Sequence, residues 1–86
     1  KEVAEREAKV QAAKRSLQLY REGLLSQADL SFRSALSAYQ TGRAEFVNLL
    51  EAQRALREAR MGYYKATASV LQNLADLERA VGRDLQ

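Results

Sequence analysis

Ala38-Tyr39-Gln40-Thr41-Gly42-Arg43-Ala44-Glu45-Phe46-Val47-Asn48-Leu49-Leu50-Glu51-Ala52-Gln53 holds the one sharp turn that this sequence offers between two long helical patterns. Everything before Thr41 and after Glu45 reads as helix. Gly42 can take a positive φ and end the first helix, and Glu45 then falls in the first turn of the second. The reading is all-α: a long antiparallel, coiled-coil-like hairpin with helices over about 2–40 and 44–81 and its tip at 41–43. Each arm of ~38 residues would measure ~57 Å at 1.5 Å per residue.

Composition agrees. A chain of 86 residues makes one small domain. Proline is absent, glycine occurs four times and 47% of residues are hydrophobic, many of them alanine. That is the usage of long helices. There is no Cys and no His, so thiolate chemistry and the commonest general base and transition-metal ligand are missing. Cofactors and metals are therefore not expected, and an enzyme would need a carboxylate pair or a pocketed lysine that a two-helix hairpin does not enclose. Fourteen basic and eleven acidic residues are interspersed, as on solvated helix faces. No basic stripe with interleaved aromatics points to nucleic acid. No run approaches the roughly 20 apolar residues of a membrane-spanning helix.

In the first arm, Val3, Val10, Ala13, Leu17, Tyr20 and Leu24 keep heptad-type spacing, with Arg6 as a polar interruption. Leu24, Ala28 and Phe32 are then four and four apart before Ala35 and Tyr39 resume three and four. Such a stutter relaxes a left-handed supercoil. Gly23 beside it weakens a helix by roughly 1 kcal/mol relative to Ala. Glu22-Gly23-Leu24-Leu25 reads as a kink or weak point in a continuing helix, with a full break into three helices as the alternative.

The second arm shows a seam of Phe46, Leu49, Leu56, Tyr63, Val70, Leu74, Leu77 and Val81, interrupted by Gln53, Arg60 and Thr67. A second stripe, Ala52, Ala55, Ala59, Gly62, Ala66 and Ser69, is made of small residues. The two stripes are expected on roughly opposite sides of the helix, so that a further helix could approach closely over the small one. Gly82 is expected just past the helix end, in the left-handed conformation. The start, Lys1 to Val3, has no capping side chain, and the chain reads as an excerpt of a longer protein.

The tip and the following helix, Phe46-Val47-Asn48-Leu49-Leu50-Glu51-Ala52-Gln53-Arg54-Ala55-Leu56, resemble the TolC-like outer-membrane efflux proteins. Leu74-Ala75-Asp76-Leu77-Glu78-Arg79-Ala80-Val81-Gly82 is similar to that family's closing helix. Tyr20-Arg21-Glu22-Gly23-Leu24-Leu25-Ser26-Gln27-Ala28 is most similar to the heavy-metal-efflux branch, the CzcC/CusC type. The resemblance implies a periplasmic hairpin in the α-barrel of a trimeric outer-membrane channel, whose β-strands and other repeat lie outside this chain. Contact with the membrane would run through those other parts. The tips of such channels dock a periplasmic adaptor (membrane fusion) protein in a tripartite efflux system.

On this resemblance Tyr39, Thr41, Gly42 and Arg43 form the tip that meets the adaptor. Tyr39 corresponds to a tyrosine that ties the closed tip through a side-chain hydrogen bond, and Gly42 to the turn glycine. Asn48 and Glu51 correspond to two aspartates that ring the closed entrance. With a neutral Asn48, a threefold ring would rest on Glu51 alone. The family's latch arginine lies two residues after the glycine, where this chain has Ala44, so that role does not carry over to Arg43. Without the resemblance, Tyr39 reads as the last core aromatic of its helix and Glu51 as a solvated helix acid. The competing function is a coiled-coil interaction hairpin of an adaptor or scaffold, although the Arg-Leu-Ser-type tip expected of an adaptor is absent.

A lone helix pair rarely buries enough area to offset ~1.5 kcal/mol of ordering per residue. The isolated hairpin is expected to self-associate as a helical bundle. Sedimentation as a fully helical, concentration-independent monomer would contradict this.

Overall fold

The computed structural model describes residues 1–85. It is a rod 67 Å long and 14 × 12 Å across, with no strand among the described residues. Helix α1 spans Glu2–Leu19, a π-helical turn spans Tyr20–Leu24, and α2 spans Leu25–Gln40. After the tip, α3 runs back over Phe46–Asp84, 39 residues without interruption. The expected hairpin is present, with two boundary differences. The turn extends to Glu45, whose extended backbone (φ −80°, ψ 157°) makes it the N-cap rather than a first-turn residue. At the other end Gly82 lies within α3, and Gly42 is the only described residue with positive φ. A helix can run through a glycine when nothing else stops it, at the propensity penalty alone.

The seam between the arms follows one heptad rule. On α3, Leu49, Leu56, Tyr63, Val70 and Leu77 alternate with Ala52, Ala59, Ala66, Asn73 and Ala80, and all ten are buried or half-buried. Large side chains from one row interleave with small ones from the other, an arrangement that lets two helices approach closely. Asn73 is tolerated in the seam because its amide nitrogen donates to the Ser69 carbonyl at 2.8 Å.

This arrangement corrects the expected placement of the small stripe. Residues three apart are separated by about 300°, which is about 60° the other way round the helix. The rows of large and small residues are therefore neighbours, and Ala52, Ala59 and Ala66 face the first arm together with Leu56 and Val70. Ala55 and Ser69, on the flank, are exposed. Phe46 and Val81, placed in the large-residue seam by their spacing, are 53% and 39% exposed because they sit on its opposite edge.

Around Gly23 the first arm continues as helix through an irregular turn, and no full break into three helices occurs. Helical hydrogen bonding continues through the π-turn, where the Leu25 N–H donates to the Tyr20 carbonyl five residues back. On the seam of the first arm, Val10, Ala13, Leu17 and Tyr20 are followed by Leu25, Ala28, Phe32 and Ala35. Five residues separate Tyr20 from Leu25 where the repeat calls for four. The turn absorbs the extra one, and Leu24 is left 47% exposed.

Gly62 sits opposite this turn. A Cβ at Gly62 would fall 2.7 Å from Tyr20 Cζ and 2.8 Å from its hydroxyl oxygen, closer than side chains approach one another. The tyrosine ring occupies the space that the missing side chain leaves. At the open end of the rod, Arg83 binds Glu2 at 2.6 Å and Arg6 meets Asp76 at 3.6 Å, joining the two arms. Arg6 also lies 3.9 Å from Glu2, and Arg79 pairs with Asp76. Exposed pairs of this kind contribute up to about 1 kcal/mol each. Among the described residues those buried are Val10, Ala13, Leu56, Ala66, Val70 and Ala80, and α2 contributes none.

Gly62→Ala sets an overpacking penalty of about 1–3 kcal/mol against a helix-propensity gain of about 1 kcal/mol. The expected outcome is a lower melting temperature by circular dichroism at fixed chain concentration. In a Tyr20→Ala background the same substitution should raise it instead. Equal effects in the two backgrounds would show that the ring and the glycine are not coupled.

Candidate functional site

The tip is built by the end of α2. Gly42, at φ +75°, occupies the left-handed conformation in which a side chain is strained. With the chain turned there, the Arg43 N–H donates to the Ala38 carbonyl at 2.8 Å and the Gly42 N–H to the Tyr39 carbonyl at 3.1 Å. These two bonds are the pair that closes a Schellman motif, and they satisfy carbonyls that the helix end would leave bare. The Ala44 N–H also reaches the Ala38 carbonyl, at 3.2 Å.

Thr41 adds a second layer. Its hydroxyl donates to the Ser37 carbonyl at 3.0 Å and lies 3.3 Å from that of Ala38. The same oxygen accepts from Arg43 Nε at 3.0 Å. Arg43 is thus folded back over the turn, and Thr41, Gly42 and Arg43 all face solvent. The result is a preformed polar knob with one positive charge at its crown.

Below the knob, Tyr39 and Phe46 close the turn from the two arms. Their ring centroids are 5.5 Å apart at an interplanar angle of 52°, a tilted contact of the kind aromatic pairs favour. Tyr39 is 42% and Phe46 53% exposed, so the pair forms an apolar collar that solvent or a partner can reach. Among the described residues the Tyr39 hydroxyl has no hydrogen-bond partner within the hairpin. Asn48 lies in the first turn of α3, its N–H donating to the Glu45 carbonyl at 3.1 Å.

Tyr39, Thr41, Gly42 and Arg43 therefore converge as one surface. Asn48 and Glu51 stand apart from it, one turn further along α3 and three residues from each other. Both are exposed and lie on the same flank of the seam as Ala55. Among the described residues no three His, Cys, Asp or Glu side chains cluster as metal ligands. Glu51 presents a single carboxylate, and a ring of charge would need further copies of the chain.

One surface was missed by reading the sequence. Val47, Leu50, Met61, Tyr64 and Leu71 are all between 44% and 67% exposed. They recur at heptad spacing on the side of α3 turned away from the first arm. The signal was present as a second three-and-four series, but Arg54, Arg57 and Ala68 fill its remaining places and hide it. The outward side of α3 thus carries a row of large apolar residues, and the small row serves the hairpin itself. No described helix is long and apolar enough to cross a membrane.

Compared with the models of known families, the chain matches one described as outer membrane efflux protein, over residues 1–83. No curated protein and no solved structure matches it.

The turn itself is open to test. Gly42→Ala places a Cβ in the left-handed region and should destabilise the chain by about 1–2 kcal/mol. Gly42→Asn, whose side chain tolerates that conformation, should cost clearly less. Equal melting temperatures for the two variants would mean that the positive φ is not what the turn requires.

Proposed function

This chain belongs to the outer membrane efflux protein family, and we propose that it is a periplasmic hairpin in the wall of a trimeric efflux channel, with its tip at the channel entrance. The family is one of transport channels rather than enzymes. The observation that carries the structural side of the proposal is the two-sided character of α3. One side is committed to the first arm, and the other exposes Val47, Leu50, Met61, Tyr64 and Leu71. A helix with apolar residues on both sides suits a wall in which each helix has a neighbour to left and right.

Within such a wall the polar knob of Thr41, Gly42 and Arg43 is the part that docks a periplasmic adaptor, and the channel then joins a tripartite export system. Docking on a turn that is already closed by its own hydrogen bonds requires little ordering, which favours association. The Tyr39–Phe46 collar lies directly beneath and would sense the contact. Opening would break contacts of Tyr39 and Glu51 with neighbouring hairpins and replace them with adaptor contacts. The Tyr39 hydroxyl, without a hydrogen-bond partner among the described residues, is suited to a bond with a neighbouring hairpin. The stretch Tyr20–Ala28 supports assignment to the heavy-metal-efflux branch. The family match favours the channel over an adaptor or scaffold hairpin.

At the entrance, three copies of Glu51 would form the acidic ring, with Asn48 contributing polarity but no charge. Carboxylates brought together by symmetry attract cations in proportion to their number. Glu51→Gln in the assembled channel should therefore weaken block by multivalent cations in single-channel conductance recordings. Unchanged block would remove Glu51 from the constriction.

A further inference from the structure

We propose that the π-turn at Tyr20–Leu24 stores one residue and lets this hairpin exchange between two states of supercoiling. In the state described above, the surplus residue between Tyr20 and Leu25 is confined to the turn. The helices on either side then keep heptad spacing and with it their left-handed supercoil.

The same sequence can absorb the residue differently. Leu17, Tyr20, Leu24, Ala28, Phe32 and Ala35 also form a continuous apolar series, spaced three, four, four, four and three. A helix using that series needs no π-turn, and its stutter straightens the supercoil locally. Ala28, Phe32 and Ala35 occupy the seam in both states. Only Leu24 and Leu25 trade places: Leu25 is half-buried now and Leu24 is 47% exposed. One leucine is exchanged for another, so the buried apolar area is conserved, and this is the condition for two packings to lie close in free energy.

The surroundings of the turn suit such an exchange. Beyond the adjacent residues and the backbone of its own helix, nothing lies within 4 Å of the position a Gly23 side chain would occupy, so the outer side of the turn is open. Tyr20, seated on Gly62, anchors the near side. Loss of the π-turn would therefore turn α2 and the tip relative to α1 while the backbone stays helical. The tip could change its twist without either arm unfolding. π-turns inside α-helices occur frequently at functional sites, and here the sequence supplies a leucine for each of the two packings. This device is a property of the hairpin itself and does not rest on the transport function.

The experiment is methyl relaxation dispersion on the leucine-labelled chain, with a Leu24→Ser variant and a Gly23 deletion. Leu24 and Leu25 should show exchange with one shared rate. Leu24→Ser leaves the π-turned state intact because that side chain faces solvent there. It should lower the population of the other state roughly tenfold or more, since that state buries the leucine. Deleting Gly23 restores the spacing of four positions from Tyr20 to Leu25 and should abolish the exchange. Flat profiles at both leucines in the unmodified chain would overturn the proposal, as would exchange that persists unchanged in Leu24→Ser. If the deletion variant fails to fold, the Leu24→Ser comparison decides alone.

Discussion

Two helices can lie antiparallel along a seam only if the chain between them reverses without leaving its last carbonyls bare, and Gly42 is where both demands are met. Its positive φ turns the chain. The bonds from Gly42 and Arg43 back to Tyr39 and Ala38 then close the helix end. From that point the geometry is propagated. Phe46 is brought against Tyr39, and the heptads of the two arms meet in register along the rod to the ion pairs around Glu2 and Asp76. Without the reversal, the apolar rows of the first and last thirds of the chain would have no partner within the molecule.

The architecture was readable from the sequence because its determinants are local. A glycine between two heptad series, with no proline anywhere, leaves few options besides a hairpin. What sequence reading misjudged is instructive in the same terms. The large and small rows of α3 were separated by residue character, whereas the helix groups residues by angle, and a row of alanines three places from a row of leucines belongs to the same face. The stutter in the first arm was seen, but spacing alone does not say whether a surplus residue is spread over several turns or confined to one. The close contact of Tyr20 with Gly62 depends on the alignment of two distant segments, which no local pattern encodes. At the candidate site, Tyr39, Thr41, Gly42 and Arg43 were identifiable together because they are consecutive or nearly so. The outward row of Val47, Leu50, Met61, Tyr64 and Leu71 escaped notice because arginines stand in two of its places.

Membership of the outer membrane efflux protein family gives these features a common setting. A conduit wall needs length, closely approaching helices and side-by-side contacts, and it has little use for an enclosed core or a reactive centre. This chain has six buried residues among those described, all apolar, on a rod nearly five times longer than it is wide. Its chemistry is concentrated at surfaces: a hydrogen-bonded knob, an aromatic collar and a lone carboxylate one turn along.

The buried residues are not shared evenly along that rod. Val10, Ala13, Val70 and Ala80 all lie toward the open end, where the ion pairs also are, while α2 has no buried residue at all. Opening free energy scales with such burial, so the fold must have a gradient of rigidity: a firm root and a compliant distal half that breathes first. Backbone amides of the tip half are therefore expected to exchange with solvent sooner than those of the open end. That compliance follows from sparse packing and is separate from any change at the π-turn.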